Sequence, residues 1–178
     1  YVYMSPTLYS QIFQAPVAYN YMYAKYADGV RGTPKAEQVA TELMKLSKES
    51  GIPIKIRACD TMGFGVNFVG AALPRSVPGI IYGLRHYAEV PSDMLEWHGH
   101  NDFYKVVSNA STAWLYGCSG INTSLFGIGE RTGNTPLEAM VFEYAQLRGH
   151  MNGMETTVIT ELAEYYEKEI GYHIPSRT

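Results

Sequence analysis

The feature that most restricts the fold of this sequence is the order strand, polar turn, helix, which occurs three times. Alternating or continuous apolar residues predict the strands, and apolar residues at helical spacing predict the helices that follow them. The predicted strands cover residues 52–59, 95–100 and 120–126, and the helices after them cover residues 75–88, 103–116 and 136–147. A helix from Thr33-Pro34 to Ser50-Gly51 precedes these units, and another over 155–170 follows them. This order is typical of an α/β fold with a parallel sheet.

Polar residues come directly after each predicted strand. They are Asp60-Thr61, the stretch 98–102 and the stretch 127–134. In a (β/α)8 barrel these three places converge on the carboxyl-terminal face, where active sites are built. A doubly wound sheet would instead bring them together along its carboxyl edge. Three units are too few to close an eight-stranded barrel, so in a barrel the remaining strands would lie in another chain or outside this sequence.

The pattern His98-Gly99-His100 is the strongest chemical signal in the chain. Residues i and i+2 of a strand point to the same face, so the two imidazoles would lie side by side, with no side chain between them. Two nitrogen ligands from one strand suit a divalent metal site. The alternative is a pair of surface histidines at the end of a strand, since short histidine motifs also occur without a metal.

Composition excludes several classes of protein. The 178 residues are 46% hydrophobic and 17% charged, which is typical of a globular domain. A net charge of −3 gives no indication of nucleic acid or an anionic membrane as a partner. No apolar run reaches the roughly 20 residues of a membrane span, and no secretory signal is visible. We expect Cys59 and Cys118 to be buried free thiols of a cytoplasmic protein, with a disulfide as the unsupported alternative.

Two motifs in order carry a resemblance to a known family. His98-Gly99-His100-Asn101-Asp102 and the stretch Gly127-Ile128-Gly129-Glu130-Arg131-Thr132-Gly133-Asn134 resemble the two signatures of the metal-dependent Claisen-condensing barrel enzymes. That superfamily includes 2-isopropylmalate synthase, homocitrate synthase, Re-citrate synthase and the related 3-hydroxy-3-methylglutaryl-CoA lyase. The residues at 73–78, 95–103, 114–118 and 129–136 most resemble the Re-citrate synthase branch. The resemblance covers residues 37–178 and implies the carboxyl-terminal part of a (β/α)8 TIM barrel, incomplete in this chain.

The resemblance implies a role for several residues. His98 and His100 match the metal-binding histidines of the family, and Asn134 matches its metal-approaching asparagine. Thr61 matches the threonine that binds the carboxylate of a 2-oxo acid. The implied cofactor is a divalent metal, Mg²⁺ or Mn²⁺ before Zn²⁺, because the ligands are mixed nitrogen and oxygen.

The loop Gly129-Glu130-Arg131 leaves two alternatives open. The resemblance implies a catalytic role for Glu130 and Arg131, and an ion pair that braces the loop is an equal alternative. Asp102 is expected to orient a metal-binding histidine without binding the metal itself. Asp60 is expected to be a structural carboxylate of its turn.

The chain also departs from the family pattern. The resemblance implies an aspartate ligand and an arginine on the first barrel strand, and that motif is not found. Asp28-Gly29-Val30-Arg31 has similar letters but lies too close to the later strands. We therefore expect this chain to hold half of the metal shell, and to be inactive alone. The chain begins at Tyr1, not Met, and we expect an excerpt of a longer protein.

Three parts of the chain are expected. Residues 1–32 form a poorly defined segment that holds seven of the fifteen tyrosines, and Tyr19, Tyr21 and Tyr23 alternate as in a strand. Residues 33–152 form the back half of a TIM-barrel catalytic domain. Residues 153–178 form a terminal helix and the start of a linker.

The implied activity is that of an acyltransferase that condenses acetyl-CoA with a 2-oxo acid held by the metal. Oxaloacetate, 2-oxoglutarate and 2-oxoisovalerate all remain open as the acid. One alternative is a carbon–carbon lyase of the same superfamily, although the resemblance implies a cysteine in the loop of that branch, which 127–134 lacks. The other alternative is a non-catalytic fragment. A homo-oligomer is expected, with neither nucleic acid nor membrane as a partner.

Overall fold

The computed structural model describes residues 34–175, with side chains described from residue 37. The tyrosine-rich segment 1–32, the motif at 28–31 and the proposed helix cap at Thr33 lie outside the described residues. The helices are α1 (Pro34–Ser50), α2 (Val77–His86), α3 (Val106–Leu115), α4 (Leu137–Arg148) and α5 (Val158–Tyr165), and the strands are β1 (Ile56–Asp60), β2 (Leu95–Gly99) and β3 (Gly120–Ile121). Short 3₁₀ turns cover Ser92–Met94 and Leu125–Gly127, and a π-helical turn covers Tyr166–Ile170.

The three strands form one parallel sheet in the order β1-β2-β3. Ile56 pairs with Leu95, Cys59 with His98, and Glu96 with Gly120. A helix follows each strand, which confirms the predicted α/β order. Because the strands are parallel, their carboxyl ends and the loops after them lie at the same edge of the sheet.

Two predicted strands are shorter than expected. β1 begins at Ile56, because its partner strand begins only at Leu95 and no strand among the described residues pairs with residues 52–55. β3 ends at Ile121 instead of continuing to 126. Ser124 instead meets the returning chain, where its amide donates to the Thr135 carbonyl at 3.0 Å, and Phe126 takes a φ of +54° in the 3₁₀ turn.

Helices α2 and α3 begin later in the chain than predicted, each for a local reason. α2 begins at Val77, because the Ser76 hydroxyl caps it by accepting from the Gly79 amide at 3.0 Å, and Pro78 fits the first turn. α3 begins at Val106 instead of 103, because Tyr104 has a φ of +56° and no helix passes through that conformation. Among the described residues, no helix has the length and apolarity that a membrane span requires.

Strand β2 divides the sheet into two chemically different faces. Leu95 and Trp97 point to the helix-covered face and are fully buried in a core with Val77, Ile81 and Ala110. Glu96 and His98 alternate with them and lie on the opposite, polar face. This polar face, followed to its carboxyl end, carries the predicted site.

Candidate metal centre at the carboxyl ends of the strands

His98 and His100 bring two ring nitrogens together as predicted. Their Nε2 atoms are 3.3 Å apart, and the ring planes meet at 76°. Two nitrogens bound to one ion at about 2.05 Å lie roughly 2.9 Å apart in octahedral geometry and roughly 3.3 Å apart in tetrahedral geometry, so this spacing is compatible with a shared ion. The same distance lets one neutral ring donate a hydrogen bond to the other when no ion is bound. His100 is only 6% exposed and His98 is half-buried, which excludes the alternative of an exposed surface pair.

The surroundings of His98 keep its imidazole neutral. Burial lowers the pKa of His98 below its ordinary value, and the neighbouring charges of His100 and Arg57 lower it further. Asn122 and Glu130 act in the opposite direction but do not outweigh these effects. Only a neutral imidazole can bind a metal, so this shift prepares His98 for that role at neutral pH.

Asn134 lies beside His100, as the resemblance implied. The two residues form an isolated antiparallel bridge, and the Asn134 side-chain amide donates to the Gly99 carbonyl at 3.2 Å. Its Oδ1 lies against Gly129, where a Cβ atom would be only 1.8 Å away. The structure therefore brings Asn134 to the histidine pair, while its role as a metal ligand stays a prediction.

Arg131 connects the loops that follow all three strands. Its Nε and Nη2 donate to both carboxylate oxygens of Asp102 at 2.7 and 3.0 Å, and Nη2 also donates to the Thr61 carbonyl at 2.6 Å. Each partner shifts the other: the Asp102 carboxylate raises the pKa of Arg131, and the Arg131 hydrogen bonds lower the pKa of Asp102. These contacts support the loop-bracing alternative for Arg131 and leave its direct catalytic role a prediction.

The other predicted residues of this edge occupy different positions. The Asp102 carboxylate was expected to orient a histidine, but both its oxygens accept from Arg131, because a guanidinium fork matches a carboxylate. Glu130 contacts Arg131 at 3.4 Å, and its side chain is 74% exposed. The Thr61 hydroxyl belongs to an exposed residue at the start of the first loop. Asp60 is a turn carboxylate, as expected, and accepts from the Gly65 amide at 3.0 Å.

A charged cluster that the sequence did not predict lies next to the histidines, toward the amino end of the same face of β2. The Glu96 carboxylate accepts from Lys55 at 2.9 Å, from Arg57 at 2.9 and 3.1 Å and from Asn122 at 3.3 Å. Burial alone would raise the pKa of Glu96, but the hydrogen bonds from Lys55, Arg57 and Asn122 outweigh it and the pKa is lowered. The available signal was the two-residue spacing from His98, which places Glu96 on the same face.

Two nitrogens are only part of a metal shell. Within residues 34–175, no group of three or more His, Cys, Asp or Glu side chains could hold a metal ion. The paired Nε2 nitrogens and the lowered pKa of His98 fit a divalent ion. The described residues therefore bring together two nitrogens that could serve one ion.

The two cysteines are free thiols, but only one is buried. Cys118 is 3% exposed, and burial raises the pKa of its thiol to about 12. Cys59 was also expected to be buried, and this is wrong. It points to the polar face of β1, opposite His98 in register, and is exposed.

Comparison with curated proteins gives two highly similar relatives. The Citrate (Re)-synthase of Clostridium kluyveri is 69% identical over 137 residues, which cover 77% of this chain and 30% of that protein. The Citrate (Re)-synthase of Syntrophus aciditrophicus is 58% identical over 137 residues, which cover 77% of this chain and 22% of that protein. The chain thus spans less than a third of the length of these relatives.

A solved structure and a family description agree on the fold. An HMG-CoA lyase from Acinetobacter baumannii, in complex with coenzyme A and 3-methylmalate, matches with a TM-score of 0.57. The match has 20% identity and covers 79% of this chain and 44% of that chain, so it bears on the fold alone. It agrees with an incomplete TIM barrel, in which β1, β2 and β3 are neighbouring strands. Residues 19–165 match the family described as HMGL-like, and the chain therefore belongs to the HMGL-like family.

Proposed function

We propose that this chain is the metal-binding part of an acyltransferase that condenses acetyl-CoA with a 2-oxo acid. The observation that carries the proposal is the 69% identity to a Citrate (Re)-synthase over 137 residues. The paired nitrogens of His98 and His100 support it, because a 2-oxo acid binds a divalent ion through its keto and carboxylate oxygens. Oxaloacetate is the acid that would give citrate. The catalytic part lies within residues 33–152.

The residues of this chain have distinct roles in the proposal. His98 and His100 hold a divalent ion, Mg²⁺ or Mn²⁺ before Zn²⁺, through their Nε2 atoms, and Asn134 approaches it from the loop after β3. When bound, the ion polarises the keto group of the acid and stabilises the negative charge that develops on its oxygen. The Thr61 hydroxyl donates to the carboxylate of the acid, and Glu130 presents an exposed carboxylate at the rim of the site.

The direct test is thiol release from acetyl-CoA in the presence of Mn²⁺, with oxaloacetate, 2-oxoglutarate or 2-oxoisovalerate. We expect release with oxaloacetate by the protein expressed from its complete gene. Release with another acid instead would keep the condensing class and change the substrate. A folded, Mn²⁺-loaded protein that releases no thiol with any acid would refute the proposal.

Two further expectations belong to this proposal. The 178-residue chain alone should be inactive, because the described residues supply only two nitrogen ligands; turnover by this chain would overturn that. We also propose a homo-oligomer, supported by exposed aromatic side chains on and after α2, such as Tyr82 and Tyr87. Sedimentation of the full protein at the mass of one subunit would contradict it.

A further inference from the structure

We propose that Arg131 is a positioning residue that ties the loops after β1, β2 and β3 together and thereby holds Thr61 and His100 in place for a metal-bound 2-oxo acid. This inference rests on the proposed function for its substrate, but its structural part stands on the contacts of one side chain. It assigns Arg131 a role away from the reacting atoms.

The Arg131 guanidinium has only one N–H group left for a substrate. Of its five N–H groups, two donate to Asp102, one to the Thr61 carbonyl and one to Glu130, leaving one. A group that binds a substrate carboxylate in the bidentate manner needs two parallel donors. Asp102 already occupies that fork, so Arg131 could bind a substrate in this way only by releasing Asp102.

The backbone of the loop after β3 directs the Arg131 side chain toward the other two loops. Arg131 itself has a φ of +53°, a left-handed conformation that non-glycine residues rarely adopt. The loop is held in this shape by the Gly133 amide, which donates to the Glu130 carbonyl at 2.9 Å. Gly133 has no room for a side chain, because a Cβ there would be 2.2 Å from the Gly127 carbonyl oxygen. The loop thus keeps Arg131 directed at the other two loops.

The backbones of the three loops already contact one another at this edge of the sheet. The Asn101 amide donates to the Gly133 carbonyl at 2.9 Å, and the His100 amide donates to the Asp60 carbonyl at 3.2 Å. Gly63 packs so closely on the second loop that a Cβ would be 2.8 Å from the His100 carbonyl oxygen. Arg131 adds the side-chain link across the same three loops, reaching Thr61, which lies 70 residues earlier in the chain.

The consequence is a specific kinetic pattern. Loss of the Arg131 fork frees the Thr61 carbonyl and Asp102, which is two residues from His100. We expect Arg131→Gln to weaken Mn²⁺ binding and to raise KM for the 2-oxo acid, each by about 10–100-fold, as for other groups that orient metal ligands. The value of kcat at saturating metal and acid should fall less than KM rises, because the side chain does not touch the reacting atoms.

A double-mutant cycle tests this, using protein expressed from its complete gene. The variants are Arg131→Gln, Asp102→Asn and the pair together, with Arg131→Lys as the conservative change and Arg148→Gln as a control. Arg148 lies at the exposed end of α4, away from the three loops. The readouts are Mn²⁺ affinity by calorimetry without substrate, kcat and KM for the acid, and amide hydrogen exchange in residues 61–65 and 100–104.

A positioning role predicts that Asp102→Asn gives a smaller loss of the same kind as Arg131→Gln, because it leaves the Arg131 contact with the Thr61 carbonyl in place, and that the double variant is no worse than Arg131→Gln alone. Amide exchange in both segments should speed up. Arg131→Lys should not keep the wild-type KM, because a lysine ammonium lacks the two parallel N–H donors that bind Asp102. A fall in kcat alone, with Mn²⁺ affinity and amide exchange unchanged, would overturn the inference and make Arg131 catalytic. Additive losses in the double variant would also overturn it.

Failure of the proposed function would look different. A wild-type protein without thiol release would refute the condensation activity, while the calorimetric and exchange cycles would still report on the link between the loops. If Arg131→Gln failed to fold, the Asp102→Asn and Arg131→Lys variants would test the same contacts, since each keeps a polar or charged side chain in place.

Discussion

The two ends of the polar face of β2 differ sharply, although Glu96 and His98 are only two residues apart on the same strand. At the amino end, the Glu96 carboxylate is satisfied by Lys55, Arg57 and Asn122. At the carboxyl end, His98 and His100 meet each other, and Nδ1 of His100 is buried without a hydrogen-bond partner among the described residues. The charge at the amino end is therefore paired with other charged side chains among the described residues, whereas the two imidazoles at the carboxyl end bring their Nε2 atoms against each other.

The direction of the pKa shifts makes the same distinction. The pKa values of Glu96 and His98 are both lowered, but with opposite results. A lowered pKa keeps Glu96 charged and paired, which stabilises the fold, and keeps His98 neutral, which leaves it able to bind a metal. The division agrees with barrel proteins in general, where the amino-terminal face serves stability and the carboxyl-terminal face serves function.

The strongest test of this division is the removal of the histidines. We expect His98→Ala and His100→Ala, each made in the protein expressed from its complete gene, to lower acetyl-CoA-dependent thiol release by about 10³-fold or more, because a metal that stabilises developing charge contributes several kcal/mol. Their free energy of unfolding without metal should change much less than the barrier to the reaction, because the hydrogen bond between the two rings is worth only about 1 kcal/mol. Thiol release and chemical denaturation measure the two effects.

The matched control is His86→Ala. His86 is exposed and stacks on Tyr82 in α2, away from the sheet edge, so this variant should keep full Mn²⁺ affinity. An equal loss of Mn²⁺ binding in all three variants would mean that binding is not specific to the strand end.

A glycine substitution tests whether Asn134 belongs to the functional end. In Gly129→Ala, the new Cβ would lie 1.8 Å from Asn134 Oδ1, so the Asn134 side chain must turn away from its bond to the Gly99 carbonyl. We expect Mn²⁺ affinity to fall by about 10–100-fold. Gly70→Ala is the control, because its Cβ meets only the exposed Phe68 ring. Unchanged affinity in Gly129→Ala would remove Asn134 from the metal site.

Local pattern predicted much of this fold, and the reasons for the errors are physical. The parallel order, the carboxyl-terminal ends of α1, α3 and α4 and the shared face of His98 and His100 follow from periodicity and from glycine positions. The early end of β3 does not, because it depends on Thr135 returning to Ser124. The contact of Arg131 with Thr61 likewise joins residues that only the folded sheet brings together.

The amino end should lose stability instead of metal binding when it is altered. Glu96→Gln removes a charge that is 14% exposed and hydrogen-bonded to three side chains, and we expect a loss of about 1–3 kcal/mol at pH 7. The sign follows from the lowered pKa: the carboxylate stabilises the fold above its ordinary value of 4.5, and this contribution disappears as pH falls through the lower folded value.

The difference in unfolding free energy between wild type and Glu96→Gln should therefore be constant above about pH 6 and shrink below about pH 4.5. Urea denaturation at a series of pH values measures it. A difference that grows as the pH falls would mean that the Glu96 cluster does not stabilise the charged form, and the contrast with the carboxyl end would be lost.

The two cysteines allow a comparison with a smaller expected effect on stability, because Cys59 lies exposed on the polar face and Cys118 lies buried in the core. Cys59 is exposed on the polar face opposite His98, so Cys59→Ala should change the free energy of unfolding by no more than about 0.5 kcal/mol. Cys118 is buried, and its thiol lies 3.2 Å from the Leu95 carbonyl and 3.4 Å from that of Gly120, at the start of β2 and β3. Cys118→Ala should cost about 1 kcal/mol through lost packing and hydrogen bonding.

Chemical denaturation of both variants, at one pH and without metal, checks this pair, and iodoacetamide labelling provides an independent measure of the same difference. The pKa of about 12 leaves little Cys118 thiolate at pH 8, so Cys59 should be labelled first in the native protein. Equal losses of unfolding free energy in Cys59→Ala and Cys118→Ala would show that the carboxyl end of the polar face contributes to stability as much as the core does. The residues that serve function and those that serve stability would then not be separated along β2. There would be no reason to expect only a small loss of unfolding free energy in His98→Ala.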